Sequence, residues 1–387
     1  MKKFLTLKIF FIFQLTTGVF TIIAKSAGAV TLPVPDHVVI CVLENHGYAE
    51  IIGSSAAPYI NSLATSGASF GASYALAHPS QPNYILLFSG NNQGVTTDNT
   101  PTNTPWSTLN LGGSLITAGL TFTAYSQGLP AVGSTVSTSG AYARKHAPWV
   151  DWQGTGTNRI PSNSNQPFTS FPSNYSLLPT VSFVIPDMNH DMHNGTDPSR
   201  ITTGDTWVQT NLSAYITWAN THNSLFILTF DENDNSAGNQ ITTIFTGQMV
   251  QSGFYNTITY NHYNILRTIE DMYNLPYAGA SATAQTIMEC WINSTAIQEP
   301  NAASKLFISP NPVVTTATIL FSGTFNEATA QLLIYDILGN KATDLTTEFI
   351  AQHGNLIFNR EGLKSGIYFY RFTNDGVSYS SGKLVLE

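Results

Sequence analysis

Three short apolar runs, and the residues that follow each of them, constrain this chain most. Val38-Val39-Ile40-Cys41-Val42-Leu43, Val181-Ser182-Phe183-Val184-Ile185 and Leu225-Phe226-Ile227-Leu228-Thr229-Phe230 are almost wholly apolar. Each is short and β-rich, which predicts strands buried on both faces, as in a parallel sheet covered by helices. Helix-period patterns lie between them. Val208, Leu212, Tyr215, Ile216 and Ala219 share a face within 205–222, and Ile265, Leu266, Ile269, Met272 and Tyr273 do so after Asn261. Strands alternating with helices predict an α/β domain over residues 30–297. The stretches 96–108 and 154–174 are rich in Thr, Asn, Ser, Gly and Pro and read as long surface loops.

The chemistry sits where the strands stop. The first run ends in Glu44-Asn45-His46. The second leads into Pro186-Asp187-Met188-Asn189-His190-Asp191-Met192-His193-Asn194-Gly195, and the third ends in Asp231-Glu232-Asn233-Asp234. Open parallel sheets bind ligands beyond the carboxyl ends of their strands. Three such ends would bring carboxylates, an amide and imidazoles to one rim, a set that suits a divalent cation. After any one strand an acidic pair reads as a solvated turn; three together predict a metal site. The run from Asp231 is not a helix-loop-helix calcium loop. Its sixth position is Ser236 instead of Gly, its twelfth is Thr242 instead of Glu, and it follows a strand.

A candidate nucleophile lies in His78-Pro79-Ser80-Gln81-Pro82-Asn83-Tyr84, which opens an apolar stretch ending at Ser89-Gly90. Ser80 fits a helix N-cap, Pro82 the first turn and Gly90 the stop. Free N–H groups at such a terminus favour an anion, and a neighbouring cation would activate the hydroxyl toward a phosphoryl group. From the local sequence alone, a plain cap explains Ser80 better.

Composition narrows the partners and the compartment. Only 10% of the 387 residues are charged and the net charge is −8, which argues against a nucleic acid held on a basic face. Cys41, inside an apolar run, reads as a buried free thiol. A disulfide with Cys290 is permitted by an exported location, and neither cysteine has the spacing of a zinc site. Lys2, Lys3 and Lys8 precede an apolar stretch over 9–23, and Ala27-Gly28-Ala29 follows. That order predicts a signal peptide over residues 1–29, cleaved after Ala29. Thr16 and Thr17 interrupt the apolar run, so a permanent anchor is the weaker reading.

The pattern changes near Glu299-Pro300-Asn301, which gives a linker over 298–305. Residues 306–387 then read as a small all-β sandwich of short alternating strands, with turns at Leu338-Gly339-Asn340 and Asn374-Asp375-Gly376.

Several of these pieces resemble one family, the bacterial phosphoesterases that include acid phosphatases and phospholipases C, a branch of the alkaline-phosphatase-like superfamily. The resemblance rests on Val42-Leu43-Glu44-Asn45-His46, Pro58-Tyr59-Ile60-Asn61-Ser62-Leu63-Ala64, His78-Pro79-Ser80-Gln81-Pro82-Asn83-Tyr84 and Arg144-Lys145-His146-Ala147-Pro148-Trp149. It continues through Asp191-Met192-His193-Asn194, Thr229-Phe230-Asp231-Glu232-Asn233 and Asn261-His262-Tyr263-Asn264-Ile265-Leu266-Arg267-Thr268-Ile269-Glu270. It implies an alkaline-phosphatase-like, mostly parallel sheet covered by helices. It also implies a divalent metal (calcium, magnesium, manganese or zinc) held by Glu44, Asn45, Asp231 and Glu232, with Ser80 as both ligand and nucleophile. His193, with Asp191 beside it, would bind phosphate oxygens or protonate the leaving group, and His262 and His146 would be further phosphate-site histidines. Asn194, where the family often has an acid, and Asp187, where it often has Asn, depart from the pattern.

The C-terminal region resembles the type IX secretion sorting domain of Bacteroidetes. The matching pieces are Ser309-Pro310-Asn311-Pro312, Ile334-Tyr335-Asp336, Leu363-Lys364-Ser365-Gly366-Ile367-Tyr368-Phe369-Tyr370 and the ending Gly382-Lys383-Leu384-Val385-Leu386. This implies outer-membrane secretion machinery as a partner and a secreted or cell-surface location.

The expected function is hydrolysis of phosphate monoesters through a phosphoserine. The alternatives are a phospholipase C-type phosphodiesterase and, in another class, a non-catalytic surface-binding protein. Ser80-Gln81-Pro82-Asn83-Tyr84 lacks the arginine of a sulfatase nucleophile segment, which counts against that chemistry.

Overall fold

The computed structural model describes residues 32–235, 237–292, 306–321, 325–360, 362–374 and 377–387. The expected signal peptide and linker lie outside these residues. The chain divides into two units between Ile292 and Asn293.

The main sheet of the first unit contains His37–Leu43 (β1), Ala68–Phe70 (β2), Phe122–Ser126 (β3), Asn165–Pro167 (β4), Val181–Ile185 (β5), Ser224–Phe230 (β6), Thr243–Gly247 (β7) and Phe254–Asn256 (β8). Their order is β8-β2-β7-β6-β1-β5-β3-β4. The run β6-β1-β5-β3-β4 is parallel throughout, and β7 lies antiparallel to both of its neighbours. The three apolar runs are thus the adjacent central strands β6, β1 and β5.

Both faces of these strands are covered, which is why their sequence does not alternate between apolar and polar. Val38, Ile40 and Val42 of β1 join a core with Ser80–Ser89 (α2) and His262–Met272 (α4). Val39, Cys41 and Leu43 join the opposite core with Pro58–Ser66 (α1) and Ser199–Ala219 (α3). Cys41 and Cys290 belong to opposite faces and are free, buried thiols. The helix expected within 205–222 begins earlier, at Ser199. Asp205, on its inner side, accepts hydrogen bonds from Tyr59 N at 3.1 Å and Ile60 N at 2.8 Å, satisfying first-turn amides of α1.

One expected loop holds a strand. Within 154–174, Asn165 opens β4 at the sheet edge and is fully buried. Its Oδ1 accepts from Trp149 Nε1 at 2.9 Å and its Nδ2 donates to Ser134 O at 2.9 Å. Side-chain hydrogen bonds hold this strand where apolar alternation is missing.

The second unit comprises Leu306–Ser309 (β9), Thr316–Phe321 (β10), Gln331–Tyr335 (β11), Lys341–Asp344 (β12), Asn355–Asn359 (β13), Gly366–Asn374 (β14) and Val377–Leu386 (β15). They form two antiparallel sheets, β9-β10-β13 and β12-β11-β14-β15. Phe321, Leu332, Ile334, Phe358, Phe372 and Leu384 fill the space between them. The sandwich carries one element the strand pattern did not announce, the short helix Thr346–Ala351, which buries Phe349 in that core. The turn at Leu338-Gly339-Asn340 is present, with Gly339 at φ 83°. Asp375 and Gly376 lie outside the described residues.

The C-terminal end of α2 is locked from below. Gly90 has φ 65°, and a Cβ there would stand 1.9 Å from Ala278 O. The segment it touches is tied to α4 by Glu270. Glu270 Oε1 accepts from Ala278 N at 2.8 Å, and Glu270 Oε2 lies 2.5 Å from Ser281 Oγ. Ser281 Oγ is also 2.8 Å from Ala278 O, which can only accept. Ser281 Oγ donates to Glu270 Oε2, a bond that favours the ionised acid, and burial opposes that form. Burial prevails and pushes the Glu270 pKa from 4.5 up to about 7. An acid whose folded pKa exceeds its unfolded value stabilises fully below the unfolded pKa and loses that contribution as pH rises through the folded one. Urea unfolding should therefore show a stability loss on the order of 3 kcal/mol between about pH 4.5 and pH 7 that Glu270→Gln, a mimic of the protonated acid, removes. The same pH slope in the variant would contradict this.

Candidate active site

The strand ladder itself delivers the site. Leu43 of β1 pairs with Phe230 of β6, so Glu44 and Asp231 leave the sheet side by side. Asp231 N donates to Leu43 O at 2.9 Å, and Glu44 N donates to Asp191 O at 2.8 Å. Two residues flank this convergence in left-handed backbone, Asn45 at φ 51° and Met192 at φ 80°. Asn tolerates that region, but Met rarely adopts it, and such strain concentrates where side chains must be aimed.

Ser80 meets the strand ends from above. It is the first residue of α2, and its side chain makes no capping bond. The expected N-cap role is replaced by a different one. Ser80 Oγ lies 2.9 Å from Glu232 Oε1 and 3.2 Å from Glu44 Oε2, with the residue 1% exposed. The expectation of free first-turn amides also changes, because Gln81 N already donates to Asp98 Oδ1 at 3.0 Å. His78, two residues before Ser80, holds the far side of Glu232, with Nδ1 2.5 Å from Oε2.

The histidines divide by their partners. His146 is buried, with Nε2 2.8 Å from Glu44 Oε1 and Nδ1 3.4 Å from Asp191 Oδ2. Its ring stacks on Tyr84 at 4.9 Å and 16°. Burial opposes its charge, yet Glu44 and Asp191 push its pKa up to about 9. Both nitrogens therefore face carboxylates. His262, at the start of α4, is also fully buried, and burial lowers its pKa to about 4. Its Nε2 is 2.9 Å from Phe230 O, a pure acceptor, so Nε2 carries the proton and buried Nδ1 is an acceptor without a hydrogen-bond partner. That polarity is opposite to the one needed to donate to a phosphate oxygen. His193 is half-buried, with Nδ1 3.0 Å from Asn194 Oδ1. Asp191 serves its backbone, accepting from His193 N at 2.8 Å.

The acids are crowded. Burial, Glu44 and Glu232 raise the Asp231 pKa well above the usual carboxylate range. Burial raises Glu232 against the pull of Ser80 and His78, and raises Asp191 against that of His146. Glu44 moves the other way: burial opposes its ionisation, but His146, Lys145 and His193 hold its pKa well below the ordinary value. Asn45 Oδ1 and Asp231 Oδ2 are buried with no hydrogen-bond partner. Unpartnered buried oxygens and clustered acids fit a divalent cation, and Glu44, His146 and Asp191 also bring ligand atoms within 4.8 Å of one another. A second group, His46, Glu50 and Asp197, is partly exposed, and Arg200 holds both oxygens of its Asp197.

His78, Asp98 and Lys145 were not singled out by the sequence. His78 and Lys145 adjoin Ser80 and His146 within quoted motifs; Asp98, in an expected surface loop, carried no signal.

A mostly parallel α/β unit with a serine among strand-end acids fits a phosphoric ester hydrolase. The chain belongs to the phosphoesterase family, whose pattern matches residues 54–276, and residues 307–387 match the secretion system C-terminal sorting domain. A phosphatidylinositol-3-phosphatase of Mycobacterium tuberculosis (strain ATCC 25618 / H37Rv) is 48% identical over 265 residues, covering 68% of this chain and 85% of that protein. An acid phosphatase of Aspergillus fumigatus is 27% identical, and the match covers 65% of this chain but only 58% of the fungal protein. A solved structure from the alkaline phosphatase superfamily, from Vibrio parahaemolyticus, is similar at TM-score 0.47 and 12% identity, covering 84% of this chain and 86% of that one. The sorting domain indicates secretion or cell-surface export. Among the described residues no helix is long and apolar enough to cross a membrane.

If the orphaned oxygens await a cation, a divalent metal will stabilise the fold. A cation at a hundred times its dissociation constant should add about 2.7 kcal/mol, read as a rise in the thermal midpoint over metal-free protein. The rise should shrink in Asp231→Asn. No rise with calcium, magnesium, manganese or zinc would contradict the fit.

Proposed function

We propose that this protein is an exported, metal-assisted phosphomonoesterase that works through a phosphoserine at Ser80. The carrying observation is the Ser80 hydroxyl held at 2.9 Å and 3.2 Å between Glu232 and Glu44. The names of the relatives, a phosphoinositide phosphatase and an acid phosphatase, favour monoesters over the phosphodiesters of a phospholipase C.

Glu44, Asn45, Asp231, Glu232 and Ser80 would hold the cation, which when bound supplies the positive charge that favours the serine alkoxide and the phosphoryl oxygens. The residues do the rest. Ser80 Oγ passes its proton to Glu232, 2.9 Å away, and forms a bond to phosphorus as the bond to the ester oxygen breaks. His193 gives that oxygen a proton; its Nε2 is the ring position not engaged with Asn194. A water then attacks phosphorus, His193 takes its proton, and the P–Oγ bond breaks as Glu232 returns the proton to Ser80, releasing phosphate. Asp191 fixes the His193 backbone, and His146 keeps Glu44 ionised. His262 stays neutral and offers an acceptor. The signal peptide at 1–29 and the sorting domain at 306–387 would carry the enzyme across two membranes.

Ser80→Ala should leave the fold intact, since no capping bond is lost, while turnover of a chromogenic phosphomonoester falls by several powers of ten. His193→Ala should fall by about a hundred- to ten-thousand-fold. More than about a tenth of wild-type turnover in folded Ser80→Ala would instead implicate a water nucleophile. Export separates from catalysis: a chain ending at Asn301 should hydrolyse the same ester once purified but stay inside the native cell. Its appearance in the medium would contradict the sorting role.

A further inference from the structure

Arg144-Lys145-His146 brings two cations to the rim, and the mechanism above uses neither. Arg144 is committed elsewhere, donating to Asp151 Oδ1 at 2.6 Å and Thr135 O at 3.0 Å. Lys145 is placed differently. Its side chain is 15% exposed, and Nζ donates to Asp98 Oδ2 at 2.9 Å. The other oxygen of Asp98 takes the N–H of Gln81, the residue after Ser80. One carboxylate thus joins the ammonium to the first turn of the helix that bears the nucleophile. Lys145 is also the neighbour of His146, whose Nε2 is 2.8 Å from Glu44, and its charge acts on both Glu44 and Asp231.

Charge gives this placement its meaning. A phosphate monoester is close to a dianion above its second pKa of about 6. The centre it must enter is built from Glu44, Asp191, Asp231 and Glu232. An ammonium is a compact charge with three donors, of which Asp98 takes one, so it can keep that bond and turn another N–H toward an incoming oxygen. Because it is already largely withdrawn from water, little further desolvation is needed when substrate arrives.

We propose that Lys145 binds a non-bridging oxygen of the substrate phosphoryl group beside Ser80, with Asp98 as the residue that positions it. The inference rests on the phosphomonoesterase reading. It assigns substrate affinity, as distinct from bond making, to the loop 96–108 and the segment before His146.

The test uses the full chain with 4-nitrophenyl phosphate as substrate and inorganic phosphate as competitive inhibitor. Lys145→Met should raise KM and the phosphate inhibition constant together by about ten- to a hundredfold, the range for a charge-assisted hydrogen bond. The fall in kcat should be smaller than the rise in KM, and Lys145→Arg should recover most of the loss. Calorimetric titration with phosphate alone should show the same weakening without turnover. If Lys145→Met does not fold, Lys145→Gln carries the same expectation. Wild-type KM and phosphate affinity in a folded neutral variant would overturn the assignment of Lys145 and leave the phosphomonoesterase reading standing. A wild type that turns over no phosphate ester would overturn that reading instead.

Discussion

Four carboxyl groups and one hydroxyl share a volume from which water is almost excluded. Glu44, Asp191, Asp231 and Glu232 are each at most 4% exposed, and Ser80 stands among them at 1%. Two unit charges 4 Å apart repel by about 4 kcal/mol at the effective dielectric of a protein near its surface. A domain holds only about 5–15 kcal/mol of net stability, so several such repulsions cannot stand uncompensated. Part of the compensation is internal. His146 lies between Glu44 and Asp191 and carries a proton at neutral pH, which lets Glu44 remain ionised. The rest is deferred, as the raised pKa of Asp231 and the unpartnered oxygens of Asn45 and Asp231 record. A site held in this state fits a divalent cation.

The fold keeps that arrangement rigid. Glu44 and Asp231 extend the hydrogen-bond ladder of adjacent parallel strands, so their spacing is set by backbone register, and Glu44 N holds the carbonyl of Asp191 in the loop beyond the third. The serine rides on a helix whose ten residues are all buried, and whose far end is fixed by Gly90 against the segment that Glu270 holds. At the strand ends Asn45 and Met192 take left-handed backbone where the chain turns. Functional groups on strands and helices can be held to the tolerances chemistry demands, while the polar segments 96–108 and 154–174 carry variation.

Much of this was legible in the sequence because the central strands are covered on both faces. A strand so buried is almost wholly apolar, and the first polar residues after it stand out: Glu44 and Asp231 were found that way, whereas Asp191, six residues beyond Ile185, came from the family resemblance. Other features left no such trace. β4 hides in polar composition because Asn165 is satisfied by Trp149 and Ser134, contacts distant in sequence. Ser80 looked like a cap because caps and nucleophiles use the same residue type at the same place. Only its hydrogen bonds to Glu44 and Glu232 set Ser80 apart from a cap. The polarity of His262 depends on a carbonyl 32 residues away, at Phe230, and the role of Asp98 on an amide 17 residues back. Local sequence patterns report burial well and hydrogen-bond partners poorly.

The central claim is that phosphate passes through Ser80 and not directly to water. Each in-line displacement at phosphorus inverts its configuration, so the two outcomes are distinguishable in the product. Hydrolysis of a phosphomonoester made chiral with oxygen isotopes and sulfur, run in isotopically labelled water, would report the configuration of the released thiophosphate. The account predicts net retention, from one inversion onto Ser80 and a second onto water. Net inversion would mean a single direct attack by water and would contradict it.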